Sequence, residues 1–90
     1  MKTPGLLRWD EYAQESDQAA YKAKQHAIAT AEFHRQLVEL YGKPAKTIED
    51  WSRVSQLIVT CRAGYDAAAM YAQLAQRAAV MADLTQRTER

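Results

Sequence analysis

The sequence predicts an all-α protein: an antiparallel hairpin of two long helices that pairs with a second copy into a four-helix bundle. Three observations carry that expectation. Glycine and proline are confined to the first five residues, to Gly42 and Pro44, and to Gly64. Apolar residues recur at a 3-4 spacing on both sides of the stretch from Gly42 to Thr47. Alanine, the strongest helix former, dominates the apolar content. Ninety residues make one domain, spanning 1–90, whose folding buries a modest share of its surface. Its stability therefore leans on regular packing or on association.

The first helix is expected over about residues 6–41. Its start is open between Pro4, with Thr3 as cap and proline in the first turn, and Asp10, with Leu6 and Leu7 as a packed arm. From Trp9 a heptad-type seam runs through Tyr12, Ser16, Ala19, Ala23, His26, Thr30, Phe33, Leu37 and Leu40. Ala13, Ala20, Ala27, His34 and Tyr41 run beside it and widen the seam into a face, while residues such as Glu11, Asp17, Lys24 and Glu32 make a solvated back.

Residues 42–47 form the turn. Gly42 suits the left-handed conformation that closes many helices, and Pro44 cannot continue one. Thr47 offers a side-chain oxygen to the free amides of a new helix, and Glu49 and Asp50 put negative charge at its positive end.

The second helix is expected over about 48–87, with a seam at Trp51, Val54, Ile58, Cys61, Tyr65, Ala68, Ala72, Ala75, Ala79 and Ala82. Leu57 to Cys61 alone resembles a strand, but no second strand exists to pair with it. Gly64 is the weak point. A break there, with Asp66 capping a third helix, would give a three-helix bundle, whereas an interior glycine costs a continuous helix only about 1 kcal/mol. The unbroken seam favours continuity.

In an antiparallel hairpin with equal rise on both sides, opposed residue numbers add to about 90. Phe33, Leu37 and Leu40 would then meet Trp51, Val54 and Ile58 as the core near the turn, and small residues would meet near Gly64. At the open end Trp9 and Tyr12 would lie over Ala75, Ala79 and Ala82.

One seam does not use up the apolar residues. A second stripe on the second helix comprises Ala63, Ala67, Met70, Leu74, Met81 and Leu84, with Tyr71 alongside and Arg77 interrupting it. The first helix adds Tyr21, Ile28, Ala31 and Val38. A stripe this long is more than a monomer usually leaves in water. It is expected to cover a second copy, a different protein, or both, with Tyr21, Ile28, Met70, Tyr71, Leu74, Met81 and Leu84 as the binding residues.

Chemistry is not expected. His26 and His34 are eight apart and lack the i, i+4 or Glu-x-x-His spacing of helical metal sites. His26 with Cys61 would need a third partner to act as ligands or as thiol and base, so the expectation is a core histidine bonded to Thr30 or Tyr65 beside an inert thiol. No catalytic residue, metal or cofactor is assigned, and no stretch carries a known family's signature. Net charge is +1 with acids and bases interspersed, so no global field draws nucleic acid or an anionic membrane. Several bases are answered by acids four residues upstream: Lys43 by Glu39, Arg53 by Glu49 and Arg87 by Asp83. The turn-end group Lys43, Lys46 and Arg53 remains the best anion contact. One cysteine, no leader-like start and no membrane-length apolar run fit a cytoplasmic protein. The functional expectation is a small protein-binding module, an adaptor, chaperone or inhibitor. The alternative is a nucleic-acid-binding regulator using the turn end.

Overall fold

The computed structural model describes residues 7–89 and shows two helices, α1 (Trp9–Tyr41) and α2 (Ile48–Glu89), folded back on each other. The hairpin is long and thin, 66 × 19 × 12 Å. Both helices are uninterrupted, and α2 passes through Gly64 as one element. No third helix interrupts the described residues.

α1 begins at Trp9, after Arg8 in extended conformation, and the Arg8 N–H donates to Glu11 Oε1 at 3.2 Å. That start lies one residue before Asp10; Pro4 and Leu6 fall outside the described residues. At the other end Gly42 is right-handed, at φ −76° and ψ −7°, not left-handed as expected. Its N–H still bonds the Val38 carbonyl at 3.0 Å, and the Lys43 N–H bonds that of Leu40 at 3.2 Å. Termination is therefore better credited to Pro44, which has no N–H to offer and disfavours helical geometry at Lys43. α2 starts as the sequence indicates. The Asp50 N–H donates to Thr47 Oγ1 at 3.1 Å, and the Thr47 N–H donates to Asp50 Oδ2 at 3.0 Å. Two free amides are thus satisfied reciprocally.

The helices meet in the expected register. Ser16 Oγ donates to the Ala75 carbonyl at 2.8 Å, Thr30 lies against Gly64, and Arg53 reaches Gln36 at 3.3 Å, pairs whose numbers add to between 89 and 94. The core keeps Val54, Cys61, Ala68, Ala75 and Ala82 of the expected α2 line but not the residues that alternate with them. α2 turns Val54, Leu57 and Cys61 inward near the turn and Ala78 further on, with Gly64, Ala68, Tyr71, Ala75, Ala82 and Thr85 completing a 3.5-residue seam. Leu57 is 1% exposed, whereas Ile58 is 51% and Trp51 50% exposed. Tyr65, Ala72 and Ala79 likewise lie on the flank, as exposed residues. The seam is rotated by about half a residue step from the expected line, because the closest approach of the helices selects Gly64 and not Tyr65. A methyl on Gly64 would sit 2.0 Å from Thr30 Oγ1 and 3.0 Å from Thr30 Cβ and Cγ2. Thr30 is buried there, and its hydroxyl donates to the His26 carbonyl at 2.6 Å. On α1 the expected seam holds at Tyr12, Ser16, Ala19, Ala23, Thr30, Leu37 and Leu40, while Trp9 and Phe33 lie at the margin and His26 is exposed.

Candidate functional site

Two antiparallel helices leave two broad faces and two backs. On one face an open groove of about 340 Å³ runs along the open half of the hairpin. Its floor is Ala19 and Ala78, its walls include Tyr12, Tyr71, Leu74 and Met81, and its rim carries Glu15, Lys22 and Arg77. The small floor residues make the depression, since alanine on both helices leaves a gap between larger flanking side chains. Tyr71 is fixed in place. Its ring stacks on His26, with centroids 5.3 Å apart and planes 13° apart, and Lys22 Nζ lies 5.6 Å from its centroid.

The groove gathers part of the expected binding set and not the rest. Tyr71, Leu74 and Met81 converge in it, with Tyr71 half-buried at the edge of the seam. Met70 and Leu84 are exposed on the same flank of α2 by helical spacing, one turn either side of Leu74 and Met81. Tyr21 and Ile28 stand apart. They lie nine and two residues from Thr30, which faces α2, and so project from the back of α1 away from the groove. Sequence reasoning overlooked the rim charges Lys22 and Arg77 as part of this site. It grouped Tyr21 and Ile28 with the α2 stripe although the α1 seam itself sets them on the opposite side of α1.

His26 is exposed, and its ring stacks on Tyr71 instead of bonding Thr30 or Tyr65; only its carbonyl receives the Thr30 hydroxyl. Cys61 is buried in the seam. Among the described residues no three metal-ligating side chains gather.

At the turn end, the three candidate anion contacts each have a partner. Lys46 Nζ sits over both Tyr41 and Trp51, 5.1 and 5.2 Å from the ring centroids, and donates to the Lys43 carbonyl at 2.9 Å. Lys43 Nζ reaches Asp50 Oδ2 at 3.4 Å. Arg53 bonds Gln36 across the hairpin. The Thr47 N–H, assisted by Lys43, holds the Asp50 carboxyl below the usual carboxylate range. Of the expected i, i+4 pairs Asp83–Arg87 forms at 3.1 Å, whereas Glu39 pairs with Arg35 at 2.5 Å in place of Lys43.

No protein-family model matches the chain, and comparison with curated proteins and with solved structures finds no significant match. No helix among the described residues is long and apolar enough to cross a membrane.

Proposed function

We propose that the hairpin is a non-enzymatic protein-interaction module, an adaptor, chaperone or inhibitor, that works by covering a partner's surface with an apolar helical face. The observation that carries this reading is the amount of surface left open. The chain exposes 6932 Å², against about 5,300 Å² for a compact protein of this mass. Large apolar side chains such as Ile28, Ile58, Met70 and Leu74 stand exposed along both helices, where a second layer of helices would cover them. The groove suits one partner element in particular. An amphipathic helix laid beside Tyr71, Leu74 and Met81 would bury its apolar residues there and could bring carboxylates to Lys22 and Arg77 on the rim. Two copies pairing into a four-helix bundle would supply the second layer that a hairpin one helix thick lacks.

The nucleic-acid reading of the turn end draws less support, because Lys43, Lys46 and Arg53 are engaged with Asp50, aromatic rings and Gln36 and do not form a continuous basic stripe. An electrophoretic shift assay at low salt with arbitrary RNA and DNA separates the two. The interaction reading expects no shift, and a shift abolished by Lys43→Ala and Arg53→Ala would overturn it.

A further inference from the structure

The face opposite the groove has a different composition. On α1 every seventh residue gives Ala13, Ala20, Ala27, His34 and Tyr41; on α2 the same step gives Trp51, Ile58, Tyr65, Ala72 and Ala79. Residues seven apart stay on one side of helices that wrap with a 3.5-residue repeat. The side chains show that these two columns share a face. Tyr41 meets Trp51 edge-on at 6.3 Å, His34 meets Tyr65 edge-on at 6.2 Å, and Ile58 lines a pocket with Val38 and Tyr41. The Ser16–Ala75 hydrogen bond holds the alanine halves of the two columns side by side. Neither column contains Asp, Glu, Lys or Arg.

Size is graded along this face. The turn half carries Val38, Tyr41, Trp51, Ile58 and Tyr65, each between 44% and 62% exposed, and the open half carries only alanine in both columns. We propose that this face binds a second copy of the same chain about a twofold axis across the hairpin, turn end against open end. This deepens the pairing advanced above and does not depend on what fills the groove. In that arrangement Tyr41 and His34 of one copy lie over Ala13 and Ala20 of the other, Trp51 and Ile58 lie over Ala79 and Ala72, and Ala27 and Tyr65 meet their own counterparts at the axis. Large residues fill the hollows left by small ones along the whole length, and every contact occurs twice, as a twofold interface demands. Pairing turn end to turn end would set Tyr41 of each copy against Trp51 of the other and leave alanine facing alanine across a void. The columns run over 28 residues, about 42 Å of helix, so across the 19 Å width the face offers roughly 800 Å² per copy, a total of about 1,600 Å² that matches a specific, stable interface. The uncharged columns fit a self-contact, with the Lys46 ammonium over the Tyr41 and Trp51 rings at the turn-end edge of the face. The groove face, with Glu15, Lys22 and Arg77 on its rim, fits a partner of complementary charge instead.

Sedimentation of the full chain and cysteine cross-linking test the proposal together. The wild type should sediment at twice 10.2 kDa, and Ala72→Glu, an exposed site in the lone hairpin, should sediment as a helical monomer. A carboxylate buried against Ile58 without a partner should weaken pairing about a hundredfold or more. Leu74→Asp in the groove should remain a dimer. For cross-linking, Ala20→Cys and His34→Cys proteins should each stay largely uncrosslinked alone and should form a disulfide-linked heterodimer when mixed and oxidised. If Ala72→Glu unfolds, the mixing experiment alone decides. A monomeric wild type, a dimeric Ala72→Glu, or Ala20→Cys cross-linking to itself would each overturn the antiparallel face-to-face dimer. Loss of the dimer in Leu74→Asp with retention in Ala72→Glu would move pairing to the groove side while leaving an apolar-face module intact.

Discussion

Gly64→Ala places a methyl where the two helices come closest, and the sign of its effect follows from the geometry. The propensity of alanine over glycine in a helix interior favours the variant by about 1 kcal/mol. Against that, the new Cβ would stand 2.0 Å from Thr30 Oγ1 and 3.0 Å from two of its carbons. Thr30 is poorly able to retreat, being buried, β-branched and bonded to the His26 carbonyl. Overpacking of a close-packed site costs about 1–3 kcal/mol, and a clash this deep belongs at the upper end. A net loss of about 2 kcal/mol lowers the melting temperature by about 10 °C for a chain of this size. The assay is thermal unfolding by circular dichroism at matched protein concentration, repeated in a Thr30→Ala background. There the substitution removes the two Thr30 atoms that crowd the site beyond Cβ, so the Gly64→Ala penalty should shrink by at least about 1 kcal/mol. A higher melting temperature for Gly64→Ala, or the same penalty with and without Thr30, would refute the close approach.

Leu57→Ala should cost about 2–5 kcal/mol in chemical denaturation, whereas Val59→Ala two residues on should cost less than about 1 kcal/mol; equal costs would mean that the seam is misplaced. Thr47→Ala removes the helix cap and should destabilise by about 1 kcal/mol, read from the same curves. Asp50 has a folded pKa below its unfolded value of about 3.9, so its contribution is present above that pH and is lost as pH falls through the lower folded value. Asp50→Asn should therefore flatten part of the acid limb of a stability–pH profile, and an unchanged limb would count against the Thr47–Asp50 box. Lys46→Ala should shift Trp51 fluorescence, since the ammonium lies 5.2 Å from its ring, and lower stability by about 0.5–1 kcal/mol.

The punctuation of the fold was readable because it depends on local chemistry. Pro44 and Thr47 mark an end and a beginning whatever surrounds them, and the 3-4 spacing of α1 has a polar back that fixes its orientation. α2 resisted the same reading. Leu57 and Ile58, Gly64 and Tyr65, Tyr71 and Ala72, and Ala78 and Ala79 offer apolar or small residues at adjacent positions, so two seams half a step apart fit the pattern equally well. The choice between them is tertiary: Thr30 needs the missing side chain of Gly64 opposite it. Once α2 is turned that way, Trp51 and Ile58 leave the core for the flank, and Tyr71 moves from the outer stripe to the groove. Tyr21 and Ile28 were legible too: nine and two residues from Thr30, they stand on the back of α1, and grouping them with Met70 and Leu74 counted apolar residues without following the turn of the helix. The turn-end cations looked available in sequence because cation–π contacts and a bond across the hairpin leave no i, i+4 signature.

Whether the apolar groove beside Tyr71, Leu74 and Met81 holds a partner protein is decided by comparing wild type and Leu74→Asp in affinity capture from the native host. Leu74 is exposed, so the hairpin should keep its helicity with aspartate there. A discrete protein should be retained by the wild type and lost with Leu74→Asp, because an unpaired carboxylate cannot be buried under an apolar partner without a large cost. Identical capture by the two proteins, or unfolding of Leu74→Asp, would contradict it.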